Sequence, residues 1–203
     1  MWDQRYAGEE YLFGTEPSRF VLAEAGRLAP GSRVLAVADG EGRNSVHLAQ
    51  LGHKVTAMDS SRVGVQKARA LADEAGVSVD FRVADIAEWD WREAAFDAVL
   101  AVFIQFAAPP LRDAIFAGMA RTLRPGGLLL IHGYAPRQVK YGTGGPGQVE
   151  NLYTLDLLRD HFEGFEVLHA ADYDAEIREG TGHSGRSALI DFVARKPGWP
   201  QSG

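Results

Sequence analysis

The chain has 203 residues, 46% hydrophobic and 24% charged, an ordinary globular composition that excludes a largely disordered chain. Its net charge of −6, with Lys and Arg spread along the sequence, disfavours an electrostatic grip on nucleic-acid backbone, which needs clustered cations. It has no cysteine, which excludes disulfides, thiolate metal sites and cysteine nucleophiles and fits a reducing compartment.

Residues 1–10, MWDQRYAGEE, show no basic region ahead of an apolar run, so no signal peptide is expected. No apolar run approaches the roughly 18 residues a membrane span needs. The expectation is a cytoplasmic protein with a small-molecule partner, no nucleic acid and no membrane; the oligomeric state is not fixed. After the aromatic N-terminus, Pro17–Leu28 reads as a helix with Phe20, Val21, Ala23 and Leu28 apolar, ended by Pro30-Gly31. Strands and helices then alternate. Val34–Ala38 is a strand, Arg43–Leu51 a helix closed by Gly52, and Lys54–Met58 a second strand. A helix from about Ser61 to Glu74 follows, then strands Val79–Val83 and Phe96–Phe103. After Pro109-Pro110, Leu111, Ile115 and Met119 recur at helical spacing until Arg124-Pro125-Gly126-Gly127, and Leu128–His132 is the fifth strand.

Such alternation predicts an α/β protein with a doubly wound, mostly parallel sheet covered on both faces. Gly133–Glu150 shows no periodicity and reads as a long loop, functional or mobile, with Tyr141–Gly147 placed to close over a ligand. Asn151–Phe162 reads as helical, with Thr154 its N-cap. Phe165–Arg178 and Ser187–Arg195 are strand-like and only eight residues apart, too few for a helical crossover, so this pair is expected to be antiparallel. The whole reads as a seven-stranded sheet with a C-terminal antiparallel hairpin.

Ligands of open α/β sheets bind beyond the carboxyl ends of the strands. Gly40 and Gly42 follow the first strand, where missing Cβ atoms permit a sharp turn and a helix N-terminus offers free N–H groups. Asp59 ends the second strand, placed to accept both hydroxyls of a ribose. Asp85 and Ile86 follow the third, placed for an adenine amino group and ring. Each has a plainer reading as well: a tight turn, a helix N-cap and a loop acid. Together they point to an adenosine-bearing cofactor. The third glycine of the dinucleotide fingerprint is replaced by Ser45.

The ordered series VLAVADGEGRNSVHLA, VTAMDSS, RVADIAEW, FDAVLAVF and LRPGGLLLIHGY resembles the motifs of Rossmann-like S-adenosylmethionine-dependent methyltransferases. The segments WDQRYAGEEYLFGTEPSRF and GTGGP are similar to the small tellurite-resistance and thiopurine-methyltransferase-like branch. The resemblance implies S-adenosylmethionine as cofactor and one methyltransferase domain over residues 1–203, with residues 1–30 as a cover. It implies that Trp2, Tyr6 and Phe13 fold over a sulfonium cation, or else pin the terminal segment on the sheet. It adds Asn44, Ser60 and Val102 to the cofactor-contact set. The family often has an acid where Ala36 stands and a glycine where Ala38 stands; here Asp39 is expected to hold the methionine ammonium instead.

The acceptor side is expected to draw on Gln105, His132, Tyr134, Arg178, His183 and Arg186, with His183, Arg178 and Tyr134 the catalytic candidates. The alternatives are a hydrogen-bonded turn histidine at 183 and solvent-facing arginines. Soft anions such as thiolates or chalcogen oxyanions need little help from a base. The six histidines show no metal-ligand spacing, so no metal is expected. FIQFAAPP after the fourth strand lacks the N-P-P-Y-like run suited to base amino groups. Two competing readings are an NAD(P)-dependent oxidoreductase, opposed by Ser45 and the lack of a Y-x-x-x-K pair, and a non-catalytic S-adenosylmethionine-binding module.

Overall fold

A computed structural model of the protein describes residues 1–198; the last residues of the expected 1–203 domain, 199–203, lie outside the described residues. Seven strands, β1 (Arg33–Val37), β2 (Lys54–Asp59), β3 (Asp80–Val83), β4 (Phe96–Val102), β5 (Leu123–Tyr134), β6 (Glu166–Glu179) and β7 (His183–Arg195), form one sheet in the order β3-β2-β1-β4-β5-β7-β6. β1 to β5 run parallel, and β7 is antiparallel to both β5 and β6. The doubly wound architecture and its terminal antiparallel hairpin are as the sequence predicts.

Neighbouring residues on each strand feed opposite layers, as the period of two requires. Leu35, Val37, Val99, Ala101, Leu129 and Ile131 pack with Ile115, Phe116 and Met119 of α5 (Pro109–Thr122) and Leu158 of α6 (Leu155–His161). Val34, Ala36, Ala98, Leu100, Leu128 and Leu130 face the other layer. It holds Phe20 and Val21 of α2 (Arg19–Glu24), Val46 and Leu48 of α3 (Arg43–Gln50), and Val65, Ala68 and Leu71 of α4 (Arg62–Glu74). A sheet apolar on both faces can expose a ligand-sized cleft only at its strand ends. The order reverses between β1 and β4, so the two crossovers diverge there and leave that cleft.

Several expected boundaries shift for local reasons. The first and fourth strands stop one residue early because Ala38 and Phe103 take left-handed backbone, φ +48° and +55°. The fifth begins earlier than expected: Arg124-Pro125-Gly126-Gly127 interrupts its register against β4 but remains part of β5. The N-terminal helix is shorter, Arg19–Glu24 with a single 3₁₀ turn after it, and Ser18 Oγ accepts from Val21 N–H as its cap. Thr154 caps α6 as expected, its Oγ1 accepting from Leu157 N–H at 3.1 Å. The stretch Gly133–Glu150 is not one structureless loop; it contains the end of β5 and 3₁₀ turns at Pro136–Lys140 and Val149–Asn151. The β6–β7 hairpin is tighter than expected, with Glu179 opposite His183 and only Gly180–Gly182 between them. His183 is therefore the first residue of a strand and not a loop residue. A short helix, α1 (Trp2–Arg5), precedes everything else.

Gly42 sits at φ +89°, where a Cβ would lie 2.6 Å from the Ala68 Cβ of α4, so its role is close helix packing. Gly52, at φ +88°, faces open space. Gly42→Ala is expected to cost about 2 kcal/mol or more and Gly52→Ala only about 1 kcal/mol, the backbone part alone. Urea melts of the two variants measure the difference.

Candidate active site

A cavity of about 740 Å³ opens at the carboxyl ends of β1, β2 and β4, within the usual range for small-molecule sites. Trp2, Tyr6, Phe13, Asp39, Gly40, Asn44, Asp59, Ser60, Asp85, Ile86 and Val102 all line it, as do Tyr134 and His183. The structure thus brings together nearly every residue singled out from the sequence. Two are corrected. Gly42 packs on α4 and does not line the cavity. Arg178 is exposed on β6, because strand alternation turns it away from the face on which its neighbour Ile177 is buried. Arg186 is also outside, paired with Asp174 at 2.9 Å. His132 lies behind Phe103, its Nδ1 2.5 Å from Asp191, and Gln105 spends both ends of its amide on the Tyr134 backbone.

The floor is built from backbone and carboxylates. Asp59 is buried and accepts from Gly40 N–H at 2.9 Å and Ser61 N–H at 2.8 Å, fixing the turn after β1 to the end of β2. Burial raises its pKa, and those N–H donors partly offset the rise. Asp39 is half-buried at the cavity floor, and desolvation raises its pKa to about 7 despite a hydrogen bond donated by Ser45 Oγ; the nearby Asp59 charge adds to the rise. Ser45, which stands at the third-glycine position of the dinucleotide fingerprint, therefore orients an acid. Asn44 Oδ1 accepts from Ser18 N–H at 3.0 Å, and Asp85 Oδ1 accepts from Ala87 N–H at 2.9 Å. Asp85 thus caps a 3₁₀ turn from the cavity wall.

The roof is the N-terminal segment. Trp2 stacks on Tyr6 at 5.5 Å, and Tyr6 lies over Gly40, where a Cβ would come 2.7 Å from its hydroxyl. Only glycine permits that closeness. Asp3 Oδ1 accepts from Ser61 Oγ at 2.5 Å and from Val63 N–H at 3.2 Å, which anchors α1 on the start of α4. Leu12 is held at both backbone atoms: its N–H donates to Glu41 Oε2 at 2.8 Å, and its carbonyl accepts from Thr181 and Gly182 N–H, each at 2.9 Å.

The far wall holds groups the sequence reading missed. Arg43 donates from Nη2 to Glu179 Oε2 at 2.7 Å, both side chains nearly buried, and the same oxygen lies 3.6 Å from His183 Nδ1. Burial alone would raise the pKa of Glu179, but His183 and Arg43 outweigh it and hold it at about 2. Burial lowers the His183 pKa against the pull of Glu179, which favours the neutral ring. The Tyr134 hydroxyl and Asn151 Oδ1 are buried at this wall without a hydrogen-bond partner. Gly144 and Gly145 pass so close to Tyr134 that a Cβ at Gly144 would lie 2.9 Å from its hydroxyl and one at Gly145 2.8 Å from its ring. The Glu179–His183 pair was available from sequence, since Gly180-Thr181-Gly182 between two strands is a tight-turn signal. Arg43 and Asn151 gave no such signal.

Residues 34–127 match the family model described as a methyltransferase domain. A ubiquinone biosynthesis O-methyltransferase of Xanthomonas campestris pv. campestris is 33% identical over 132 residues, 64% of this chain and 54% of that protein. The chain spans about half the length of the curated relatives it matches. Among solved structures, the N-methyltransferase NodS of Bradyrhizobium japonicum in complex with S-adenosyl-L-homocysteine superposes with TM-score 0.75 at 14% identity, covering 97% of this chain and 96% of that one. TehB of Haemophilus influenzae gives 0.71 at 18% identity over 96% of this chain and 65% of that one. The fold is the Rossmann-like methyltransferase fold. Among the described residues no helix is long and apolar enough to cross a membrane.

The desolvated Asp39 carboxyl sets a stability prediction. Its folded pKa of about 7 lies above the unfolded 3.8, so the folded state holds the proton more tightly. Stability from this group is complete below 3.8 and declines as pH rises toward 7. Asp39→Asn is therefore expected to gain in melting temperature over the parent across that interval and to level off above it. Thermal melts at pH values spanning the interval test this; a gain of constant size at every pH contradicts it.

Proposed function

We propose that this protein is an S-adenosylmethionine-dependent methyltransferase acting on a small molecule, with the cofactor in the half of the cavity nearest β1, β2 and the N-terminal roof. The observation that carries this is the convergence of Asp39, Gly40 and Asp59 at adjoining parallel strand ends beneath the aromatic side chains of Trp2 and Tyr6. The residues fit that group in chemistry. Asp39 is a half-buried, desolvated acid whose only lowering charge among the described residues is Arg43, the environment an ammonium would complete. Asp59 is already aimed by two N–H donors, leaving its remaining lone pairs for hydroxyls. Trp2, Tyr6 and Phe13 supply aromatic faces and exclude water from a cation.

When bound, S-adenosylmethionine supplies a methyl carbon on a positively charged sulfur, already activated for displacement. What the chain must then do is orient and enclose. Asn44, Ser60, Asp85, Ile86 and Val102 complete the nucleoside wall in this reading, and residues 1–30 serve as its cover within one domain. No pyrophosphate has to be seated, so Ser45 is no defect. Its hydroxyl instead holds Asp39 in one rotamer.

The acceptor occupies the remaining wall, between Phe103, Tyr134, Asn151 and His183. Thiols and chalcogen oxyanions suit a methyltransferase on the resemblance to the tellurite-resistance branch, and the TehB likeness is in keeping with it. The curated relatives are named O-methyltransferases, which adds a hydroxyl to these classes.

Calorimetry with S-adenosylhomocysteine tests the cofactor reading. Binding is expected for the parent chain. Asp39→Ala is expected to weaken it by about 10- to 100-fold, the worth of one charge-assisted contact. S-adenosylhomocysteine without measurable heat, or NAD bound in its place, overturns the reading. Deleting residues 1–16 from the chain should abolish binding while far-ultraviolet circular dichroism shows the sheet intact; undiminished affinity would make the N-terminal segment a structural strap only.

A further inference from the structure

Resting on that reading, we infer that Met58 is a positioning residue for the cofactor site. Its sulfur holds Ala38 in the left-handed conformation that turns Asp39 and Gly40 toward the ligand.

Three consecutive backbone N–H groups follow the end of β1, and two consecutive residues at the end of β2 receive all of them. Ala38 N–H donates to Met58 Sδ at 3.4 Å, Asp39 N–H to the Met58 carbonyl at 3.0 Å, and Gly40 N–H to Asp59 Oδ2 at 2.9 Å. In an extended strand successive N–H groups point to opposite sides. The left-handed backbone of Ala38, φ +48°, sends them to the same side instead.

That bend is made without a glycine. In the left-handed region the alanine Cβ crowds the following carbonyl oxygen, a cost glycine does not carry, so something must hold the residue there. Two other non-glycine residues among those described take positive φ, Ala94 and Phe103. Both donate their N–H to a backbone carbonyl, that of Arg121 at 3.2 Å and that of His132 at 2.8 Å. Ala38 alone of the three donates to a side chain.

Met58 is suited to the task. It pairs in register with Val37, which sets its side chain beside the bend, and it is 1% exposed, so the thioether has no path to solvent. It belongs to the core layer with Val37 and Ile86 and also lines the cavity. A thioether is a weak acceptor, and a leucine of similar volume is none at all. Without the sulfur, Ala38 leaves the left-handed region for part of the time in the unliganded protein. Asp39 and Gly40 leave their ligand-facing places with it, and apparent affinity falls by the fraction of molecules still competent.

Calorimetry with S-adenosylhomocysteine on the full chain tests this in three variants. Met58→Leu is expected to weaken binding about 3- to 10-fold, the worth of one weak hydrogen bond. Met119→Leu, at an equally buried place in the same core layer but outside the cavity, is expected to keep the parent affinity. Adding Ala38→Gly to Met58→Leu is expected to bring affinity back to within about twofold of the parent, since glycine reaches the bend without steric cost. A packing defect alone would lower the melting temperature and would not be rescued in this way. Amide exchange on the unliganded protein gives a readout apart from binding: Ala38 N–H is expected to exchange faster in Met58→Leu, and Phe103 N–H at the parent rate. If the parent binds S-adenosylhomocysteine and Met58→Leu binds it equally well, or Ala38→Gly recovers nothing, or exchange at Ala38 is unchanged, the inference fails and the methyltransferase reading stands. If the parent does not bind S-adenosylhomocysteine, the reading itself fails and takes the inference with it.

Discussion

The backbone of one residue, Leu12, ties the cavity together. Its N–H reaches Glu41 in the turn after β1, and its carbonyl is held by two N–H groups at the tip of the β6–β7 hairpin. These two places are far apart in sequence and belong to opposite halves of the sheet. The N-terminal segment spans them only because Gly180 and Gly182 leave room: a Cβ at Gly180 would lie 2.3 Å from the Leu12 carbonyl oxygen, and one at Gly182 the same distance from the Phe13 ring. Glu41 is in turn paired with Lys67 at 2.7 Å, whose ammonium also donates to the Glu10 carbonyl. The roof is therefore fastened by charge-assisted hydrogen bonds that are partly buried, where they are worth more than at a surface.

Several local costs lie at the cavity, with others at Ala94, His53 and Trp89 away from it. Ala38 and Phe103 hold left-handed backbone without being glycine, at about 1–2 kcal/mol each. Asp39 is a desolvated acid, and Tyr134, Asn151 and His183 carry buried polar atoms with no hydrogen-bond partner. Local penalties of this kind are usual where the surrounding structure enforces a geometry for a ligand. The core layers are filled by Val, Leu, Ile and Phe from both faces of the sheet.

Much of this was legible in the sequence, and the reasons differ by region. Parallel strands buried on both faces are continuous apolar runs such as LLLIH, and glycine turns after them mark the ligand-facing ends. Asp39, Gly40, Asp59 and Asp85 could be placed because position along a strand fixes position in a doubly wound sheet. What escaped reading depends on tertiary contact. Arg178 and Glu179 are adjacent, and only the register of β6 against β7 decides which one turns toward Arg43 and His183. Arg43 meets Glu179 across 136 positions, and no local pattern encodes that distance. Gly42 belongs to a glycine motif yet serves helix packing, since its neighbour Ala68 lies on a different element.

Amide hydrogen exchange with and without S-adenosylhomocysteine reports whether an adenosine-bearing cofactor sits at the strand ends beneath the N-terminal roof. Slowed exchange is expected at Gly40, at Asp59–Ser61, around Ile86 and throughout residues 2–14, with the outer faces of α3 and α4 unaffected. Protection confined to the smaller groove formed by Thr15, Pro17, His47 and Glu74, or no protection anywhere, would contradict it.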